Sequence, residues 1–370
     1  MTGSTGRTRI LVVSSSLSEG GAERFASTLL VHLDRLVFEP HLCVFRDPVT
    51  YPLPEDVTVR ILQKRRPWHW LRTARRLARL VGEIRPQVVL SNMAATGRVT
   101  GMALNRCRVR PNWVARVAAD PAPDEGRLVR WMTRRTLSGA KLFVANSRGL
   151  QTGFTDWYPF VRGRIRQIYN PVDFQSIDQL AAQKAEVEAD SGRPLIVSVG
   201  RLTRQKRPDL LLEAFAKVRA ETNAELWMIG DGPLRDRTAA QVKQLGLQQD
   251  VRLLGFTSNP YALMRQAMLY VLSSDYEGLP NALIEAQGMG LPAVATNCPY
   301  GPEEIITPGR TGILIPVGDA PVLATGILGL LSEPEHSRKM GQAAREDVRK
   351  RFDSQIVVRQ WEELILSVSE

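Results

Sequence analysis

The chain has little of the chemistry that builds disulfide frameworks or metal clusters. Its 370 residues include only three cysteines and four histidines. The cysteines, Cys43, Cys107 and Cys298, are isolated and odd in number, which favours a reducing compartment over disulfide bonding. The histidines show no metal-ligand spacing and no Asp-x-Asp sequence occurs, so we expect neither a metal site nor a cofactor.

The chain also lacks a long hydrophobic run. No stretch of about 18 apolar residues occurs, so no helix is expected to span a membrane. The first residues, MTGSTGRTRILVVSSS, contain no secretory core followed by a cleavage site, and RILVVSSS predicts a first buried strand instead. These features favour a cytoplasmic protein, either free or held peripherally on the cytoplasmic face of the inner membrane.

Basic residues are concentrated in the first half of the chain. Residues 1–180 carry 28 Lys and Arg against 14 Asp and Glu, a net charge of +14, whereas the remainder carries 21 against 24, a net charge of −3. The first half is therefore expected to meet an anionic partner, and the charge alone suits nucleic acid, anionic lipid or a phosphorylated acceptor. No recognised nucleic-acid-binding motif accompanies the charge, so we expect no nucleic-acid partner.

The order of apolar segments predicts two domains of the same kind. A chain of this length fits two domains of roughly 150 to 200 residues each. Continuous Val/Ile/Leu runs alternate with helical patterns, and the alternation restarts at PLIVSVG, which predicts two doubly wound, Rossmann-like α/β domains facing a cleft. The predicted domains are residues 1–172 and 173–352, followed by a final helical segment, 353–370. The polar segment 170–194 is expected to be the linker.

Two glutamates mark the most informative stretch. Glu277 lies on a predicted loop, and Glu285 lies eight positions later inside the predicted helix NALIEAQG. Side chains on a helix lean toward its N-terminus, so Glu285 is expected to point back to that loop. Paired carboxylates can accept hydrogen bonds from the vicinal hydroxyls of a sugar. The alternative for Glu285 is that an acidic residue simply favours the start of a helix.

Two cations follow an earlier predicted strand. Arg201 and Lys206 come after LIVSVG, and beside a diphosphate they would neutralise the charge that grows as it leaves. A solvated basic loop is the alternative, because Arg204 and Arg207 lie in the same stretch. Ligands of open α/β sheets bind beyond the carboxyl ends of the strands, so the cations and carboxylates are expected to converge there.

Two glycine turns also follow predicted strands. Gly20-Gly21 opens a predicted helix and could bring backbone N–H groups to a phosphate. It is not the G-x-G-x-x-G pattern, so the sequence gives poor support to a dinucleotide site. The turn at Gly230-Asp231-Gly232-Pro233 is either structural or lines the cleft.

A basic amphipathic helix is predicted over residues 70–84. Its apolar residues share one face and its arginines share the other. Segment Lys64–Arg79 is therefore expected to associate peripherally with an anionic membrane, with a solvated outer helix as the alternative. The basic and aromatic residues of this prediction are Lys64, Arg65, Arg66, Trp68, Trp70, Arg72, Arg75, Arg76 and Arg79.

Together and in this order, these motifs resemble those of the retaining glycosyltransferases of family 4, which have the GT-B fold. The likeness covers most of the chain and is strongest from Val197 to Val317. Bacterial members also have a stretch similar to Cys298–Ile305, and many of them use UDP-sugars and build lipid-linked or surface polysaccharides. The motifs that carry the likeness are Gly20-Gly21, Gly200-Arg201-Leu202 with Lys206, Gly230-Asp231-Gly232-Pro233, and Glu277 with Glu285.

The resemblance implies a role for each motif. Residues 1–172 would bind the acceptor, residues 173–352 would bind the nucleotide-sugar donor, and the last helix would cross back to the first domain. Arg201 and Lys206 would hold the diphosphate and Glu277 would contact the transferred sugar, so these three are the expected catalytic residues. The implied donor-binding residues are Gly20, Gly21, Gly200, Arg201, Lys206, Gly230, Leu254, Phe256, Glu277, Gly278, Leu279, Pro280, Asn281 and Glu285.

One stretch departs from the family pattern. Many relatives carry a histidine on a first-domain loop that reaches the donor sugar, whereas the comparable stretch here, Arg116–Pro123, has none. We hypothesise that Arg116 or Asp120 substitutes for it, which leaves the identity of the donated sugar open.

The sequence therefore predicts a retaining, metal-independent hexosyltransferase. The expected donor is a UDP-hexose or UDP-N-acetylhexosamine, and the expected acceptor is a glycan, polyprenyl-diphosphate-linked, in cell-surface polysaccharide or glycoconjugate synthesis. A sugar-nucleotide epimerase of the same fold is one alternative, although it would need a base that the sparse histidines do not supply. A non-catalytic sugar-nucleotide-binding protein is the other.

Overall fold

The computed structural model describes residues 6–18, 20–64, 69–118, 126–190 and 192–369. The chain divides into two compact units. Unit 1 comprises Met1–Pro171 and Ser354–Glu370, and unit 2 comprises Val172–Asp353. The expected boundaries, after 172 and after 352, each lie one residue from these.

Unit 1 has a parallel sheet of seven strands within its described residues. The strands are β1 (Thr8–Ser14), β2 (Phe38–Val44), β3 (Thr58–Ile61), β4 (Val88–Asn92), β5 (Asn112–Val117), β6 (Leu142–Ala145) and β7 (Ile165–Gln167). Their order across the sheet is β3-β2-β1-β4-β5-β6-β7, with Ile10 of β1 opposite Pro40 of β2 and Val88 of β4. Four consecutive residues of β1, 10–13, are fully buried, so both faces of the sheet are covered.

Helices cover the two faces of this sheet. The first five are α1 (Gly21–His32), α2 (Trp70–Ile84), α3 (Ala94–Leu104), α4 (Arg127–Leu137) and α5 (Arg148–Trp157). On one face α1 packs its residues Phe25 and Leu29 over Ile10 and Val12. Helices α2, α3 and α4 lie side by side. The predicted amphipathic helix corresponds to α2, whose buried residues include Leu77 and Leu80.

Unit 2 repeats the arrangement with six parallel strands among its described residues. They are β8 (Leu195–Val199), β9 (Glu225–Ile229), β10 (Val251–Gly255), β11 (Leu269–Leu272), β12 (Ala293–Thr296) and β13 (Ile313–Ile315). Their order is β10-β9-β8-β11-β12-β13. The core on one side of the sheet joins Ile196, Met228 and Val271 to Phe215 and Ile327 from the covering helices.

The remaining helices complete the chain. They are α6 (Phe174–Ala181), α7 (Pro208–Glu221), α8 (Arg235–Gln244), α9 (Pro260–Met264), α10 (Asn281–Gly288), α11 (Pro302–Ile305), α12 (Ala320–Ser332), α13 (Pro334–Phe352) and α14 (Ser354–Ser369). The last of these, α14, belongs to unit 1. Its Trp361 is fully buried and lies against Phe25 of α1, with ring centroids 5.1 Å apart.

The prediction of a linker at 170–194 is wrong. Most of this segment is built into unit 2, beginning with α6, where Asp173 caps the helix by accepting a hydrogen bond from the Ser176 N–H. Phe174 and Ile177 are buried, and further along the side chain of Gln266 donates to the carbonyl of Val187 at 2.9 Å. The polar composition of this segment does not reveal that Phe174 and Ile177 are buried. These two apolar residues are only three positions apart and form one short helix face, which is too small to give a clear periodic pattern.

Both sheets reverse their strand order at one point. In unit 1 this switch point lies between β1 and β4, and in unit 2 it lies between β8 and β11. The loops after these strands diverge there and leave a crevice at the carboxyl edge of each sheet, which is where such sheets bind ligands. The prediction of two doubly wound α/β domains is confirmed. No helix within the described residues combines the length and hydrophobicity that crossing a bilayer requires.

Because Trp361 is the largest of the buried side chains through which α14 packs on unit 1, Trp361→Ala should destabilise that unit by about 3 to 5 kcal/mol through lost burial and a residual cavity. Urea-dependent hydrogen exchange of the buried amides of β1 and β4 measures this free energy. Leu366→Ala on the exposed face of α14 is the matched control and should change it by less than about 0.5 kcal/mol. Equal effects of the two substitutions would contradict this packing.

Candidate functional site

The two loops at the switch point of unit 2 meet through a salt bridge. Lys206 ends a short 3-10 turn, Arg204–Lys206, in the loop after β8, and Glu277 lies in the loop after β11. The Lys206 Nζ atom lies 2.5 Å from Glu277 Oε1. The predicted convergence of one cation and one carboxylate at this edge is therefore seen in the structure.

The Glu277 carboxylate is held from several sides. It is buried, and the Ser274 hydroxyl donates to the same Oε1 atom at 2.6 Å. The backbone N–H of Glu277 donates to the carbonyl of Pro299 at 2.8 Å, and the hydroxyl of Thr296 donates to the carbonyl of Ser274 at 2.6 Å. Such support fixes the carboxylate in one place, as a binding or catalytic group requires.

Hydrogen bonds to backbone carbonyls join the same two loops directly. The Asp275 N–H donates to the carbonyl of Gln205 at 2.8 Å, and the side-chain amide of Gln205 donates to the carbonyl of Tyr276 at 2.8 Å. The hydroxyl of Ser273 donates to the carbonyl of Lys206 at 2.8 Å. Lys206 and Glu277 therefore lie on a single cross-linked structure.

Arg207 completes this connection in an unfavourable backbone conformation. Its φ of 48° lies in the left-handed region, which costs a non-glycine residue roughly 1 kcal/mol or more. Its guanidinium binds Asp209 and Asp275 at 3.0 Å each. The hydrogen bond that Arg207 donates to Asp209, and after it the one that it donates to Asp275, raise the pKa of Arg207 despite partial burial. The ion pairs thus offset the strain and tie the β8 loop to the β11 loop.

Arg201 differs from Lys206 in its surroundings. It is exposed, and within the described residues its guanidinium makes no hydrogen bond or ion pair. Arg201 lines a small cavity at the end of β8. Gly200, Leu202, Lys206 and Ser273 line the same cavity. The site therefore presents one cation already paired with a carboxylate and one cation available to a ligand.

The turn at Gly230 closes against the end of β8. Gly230 has a φ of 131°, and a Cβ atom there would lie 2.2 Å from the carbonyl oxygen of Gly200. Its N–H donates to the carbonyl of Gly255 at 2.7 Å. This glycine is needed for the packing of the turn, which is the structural alternative that the sequence left open.

The second glutamate is buried near the same tyrosine as the first. Glu285, in α10, is almost fully buried, as is Tyr270 of β11. Burial first, and then the charges of Glu277 and Glu285, raise the pKa of the Tyr270 phenol, so both carboxylates lie close to this ring. Burial and the charge of Glu277 likewise raise the pKa of Cys298 to about 12, which keeps this cysteine a neutral thiol.

The loop before α10 packs against the stretch that follows β12. Gly278, Leu279 and Pro280 are buried, and Asn281 begins α10. A Cβ atom at Gly301, whose φ is 91°, would lie 2.8 Å from the ring of Pro280. The part of the Cys298–Ile305 stretch around Gly301 therefore supports the loop between Glu277 and Asn281.

The expected base-binding residues lie at the end of β10. Leu254 is half-buried in the strand, and Phe256, just after it, leaves 62% of its surface exposed. An aromatic ring so exposed at the carboxyl edge of the sheet is free to contact a flat ligand.

The glycines of unit 1 lie at the switch point of the other sheet. Gly20, with φ 110°, precedes α1 and Gly21 is its first residue. The Asn92 side chain, at the end of β4, donates to the carbonyl of Ala22 at 2.6 Å. Asn92 in turn accepts a hydrogen bond from Arg116 at 2.6 Å.

The hypothesis that Arg116 takes the place of the missing histidine is wrong. Arg116 lies inside β5, is 1% exposed, and donates to Asn92 and Asn170 while its guanidinium stacks 3.9 Å from the ring of Phe25. Burial lowers its pKa to about 9 against the charge of Glu23. The other candidate, Asp120, lies outside the described residues, as do Arg65, Arg66 and Trp68 of the basic segment.

Several of these residues escape analysis of the sequence. Ser274 contacts Glu277 within one loop, Tyr270 lies in β11 close to both glutamates, and Arg207 joins two loops that are distant in the chain. For Ser274 a signal was present, because it immediately precedes the DYEGLP loop. For Arg207 the signal was misleading, since left-handed backbone normally selects glycine.

Comparison with known proteins agrees with this architecture. The family model described as Glycosyltransferase Family 4 matches residues 19–176, and the model described as Glycosyl transferases group 1 matches residues 181–347. The Campylobacter jejuni N-acetylgalactosamine-N,N'-diacetylbacillosaminyl-diphospho-undecaprenol 4-alpha-N-acetylgalactosaminyltransferase is 27% identical over 93% of this chain and 95% of its own. The Bacillus anthracis N-acetyl-alpha-D-glucosaminyl L-malate synthase is 31% identical over 55% of this chain and 54% of its own.

A solved structure gives the same fold. That of Anabaena HepE in complex with UDP superposes with a TM-score of 0.81 at 21% identity, covering 97% of this chain and 100% of that one. The GT-B architecture is therefore confirmed. The chain belongs to the GT-B glycosyltransferases, in family 4.

The Arg207 contacts predict an unusual balance of stabilities. Arg207→Gly removes both ion pairs but also removes the strain, so the free energy of unfolding of unit 2 should change by less than about 1 kcal/mol. Asp275→Asn removes an ion pair and keeps the strain, so it should lower that free energy by about 1 kcal/mol. Urea unfolding measures both changes.

Both variants should also speed exchange of the backbone amides at positions 275 and 277, because the loops lose a common attachment. An exchange rate that matches the unsubstituted protein would show that Arg207 does not hold these loops together. Arg204→Ala, an exposed change in the same turn, is the control for local disturbance.

Proposed function

We propose that the protein is a retaining, metal-independent hexosyltransferase that moves a sugar from a UDP-linked donor to a lipid-linked glycan. The observation that carries this proposal is the Lys206–Glu277 salt bridge at the switch point of unit 2. It sets a cation suited to a diphosphate beside a carboxylate suited to sugar hydroxyls, as a nucleotide sugar requires.

The donor diphosphate binds Arg201 and Lys206 in this proposal. Arg201 is exposed and offers a planar fork of donors, whereas Lys206 is a point charge that exchanges part of its contact with Glu277 for a phosphate oxygen. Glu285 accepts hydrogen bonds from the ribose hydroxyls, and Phe256 lies beside the base. The HepE structure, which has the same fold and contains UDP, supports a UDP-linked donor.

Transfer proceeds on one face of the sugar. The bond from the anomeric carbon to the diphosphate oxygen breaks as the bond to the acceptor oxygen forms on the same side, through an oxocarbenium-like state. The acceptor proton passes to the leaving diphosphate, and the two cations stabilise the negative charge that the diphosphate gains. Glu277 orients the sugar and stabilises its positive charge, and does not attack it.

The acceptor is proposed from the charge of the first half of the chain. The Campylobacter jejuni relative is named for an acceptor linked to diphospho-undecaprenol. The exposed arginines of α2 suit a diphosphate-bearing lipid and an anionic membrane surface. We therefore place the reaction at the cytoplasmic face of a membrane, in the synthesis of a cell-surface polysaccharide or glycoconjugate.

Glu277→Gln, Lys206→Ala and Arg201→Ala should each lower the rate of sugar transfer by about a hundredfold or more, because each removes charge that acts on the transition state. The rate is measured as UDP release from a panel of UDP-sugars, with membrane lipids as the acceptor. Arg204→Ala, which removes an equally exposed cation from the same loop, should retain nearly full activity. Near-normal rates in the three variants would refute the proposed site.

A further inference from the structure

Helix α4 leaves large apolar side chains in water. Leu128 and Trp131 are 68% and 58% exposed. The buried residues of this helix are Thr133 and Leu137, both in its second half. Its first half therefore holds apolar surface that is largely open to water, although the Arg135 guanidinium lies 5.8 Å from the centroid of the Trp131 ring. Exposed apolar surface of this kind marks an interaction site.

The same helix is strongly basic. It contains four arginines, at positions 127, 130, 134 and 135, and no acidic residue. Helix α2 contains four more, against the single acid Glu83. Helix α3 lies between them, and its Arg98 donates to Thr133 of α4 at 3.1 Å. The arginines of α2 and α4 thus lie on either side of α3, in one layer of three helices on unit 1.

The exposed apolar residues lie at one edge of this layer. Helix α2 begins after the carboxyl end of β3, and α4 begins after the carboxyl end of β5. Leu71, 43% exposed in the first turn of α2, therefore lies at the same edge of the sheet as Leu128. This is also the edge at which the Gly20-Gly21 turn lies, and at which such sheets bind ligands.

We propose that the starts of α2 and α4 form one docking surface for an anionic phospholipid bilayer. Leu71, Leu128 and Trp131 enter the interface between headgroups and acyl chains, and the arginines contact lipid phosphates. Either signal alone binds weakly, and the combination of apolar insertion with a basic surface gives stable attachment. Trp131 suits the boundary because its ring is amphipathic.

This surface adds α4 to the membrane contact proposed for α2. Membrane binding is inferred from the surface itself, and only its use in delivering an acceptor rests on the proposed function. A lipid-linked acceptor diphosphate lies at headgroup depth, and a bilayer docked here would deliver it to the carboxyl edge of unit 1. A nucleic acid would contact the arginines but would leave Leu71 and Leu128 without a role. The apolar residues therefore favour the bilayer.

The test is flotation of the full chain with vesicles of phosphatidylcholine containing phosphatidylglycerol. The double variant L128S/W131S should lower the partition coefficient by about tenfold or more, since two apolar side chains no longer enter the interface. The matched control is Val109→Ser. Val109 is 84% exposed between Arg108 and Arg110, but it lies between α3 and β5, at the opposite edge of the sheet.

The control should partition like the unsubstituted protein. High salt should weaken vesicle binding by the unsubstituted protein and by both variants. L128S/W131S should lose most of its remaining vesicle binding, because it depends on the arginines alone. The proposal is overturned if L128S/W131S floats like the unsubstituted protein, if Val109→Ser has an equal effect, or if the unsubstituted protein does not float. It is also overturned if single-stranded DNA binding, and not vesicle binding, depends on Leu128 and Trp131.

The proposed function is assayed separately. UDP release with an acceptor dispersed in detergent does not need a bilayer, so L128S/W131S should keep that activity. If the unsubstituted protein released no UDP, the transferase proposal would be contradicted, and the membrane-binding proposal would still be decided by flotation.

Discussion

The salt bridge between Lys206 and Glu277 is the interaction on which the candidate site depends. It joins the loops that follow β8 and β11, the two neighbouring strands between which the strand order reverses. A partly buried ion pair is weak evidence for stability, because desolvation offsets much of its attraction. Its position at the ligand-binding edge, and the contacts that Ser274 and Asp275 add around it, are better explained by a binding role.

The two units use the same strand order for different chemistry. At the switch point of unit 1 a cation, Arg116, is buried and held by Asn92 and Asn170, so it fixes the start of α1. At the switch point of unit 2 a cation, Arg201, is exposed, and it lines the same small cavity as Lys206. In unit 1 the buried cation therefore supports the backbone, whereas unit 2 presents charged side chains.

Much of the fold follows from the sequence, because buried strands and amphipathic helices leave strong periodic patterns. The restart of the pattern at β8 separates the two domains, and the loops after β8 and β11 locate Lys206 and Glu277. The polar composition of segment 170–194 predicts a linker, but the structure builds most of it into unit 2, where Phe174 and Ile177 are buried.

The sequence also does not predict contacts between loops that are distant in the chain. The attachment of Arg207 to Asp275 joins positions 68 residues apart and depends on a backbone conformation that arginine seldom adopts. The sequence places Arg116 in a loop, whereas it lies inside β5, because the end of this strand cannot be located from NWVARV alone. Both cases concern features that local propensity does not encode.

Titration of UDP by calorimetry into the unsubstituted protein, Lys206→Ala and Glu277→Gln tests the central claim most directly. If Glu277 neutralises Lys206 in the free protein, Glu277→Gln releases the lysine and should bind UDP as tightly as the unsubstituted protein or more tightly. Lys206→Ala should bind UDP at least about tenfold more weakly, the loss of one charge-assisted contact. Binding of UDP by Lys206→Ala at the affinity of the unsubstituted protein would contradict the account.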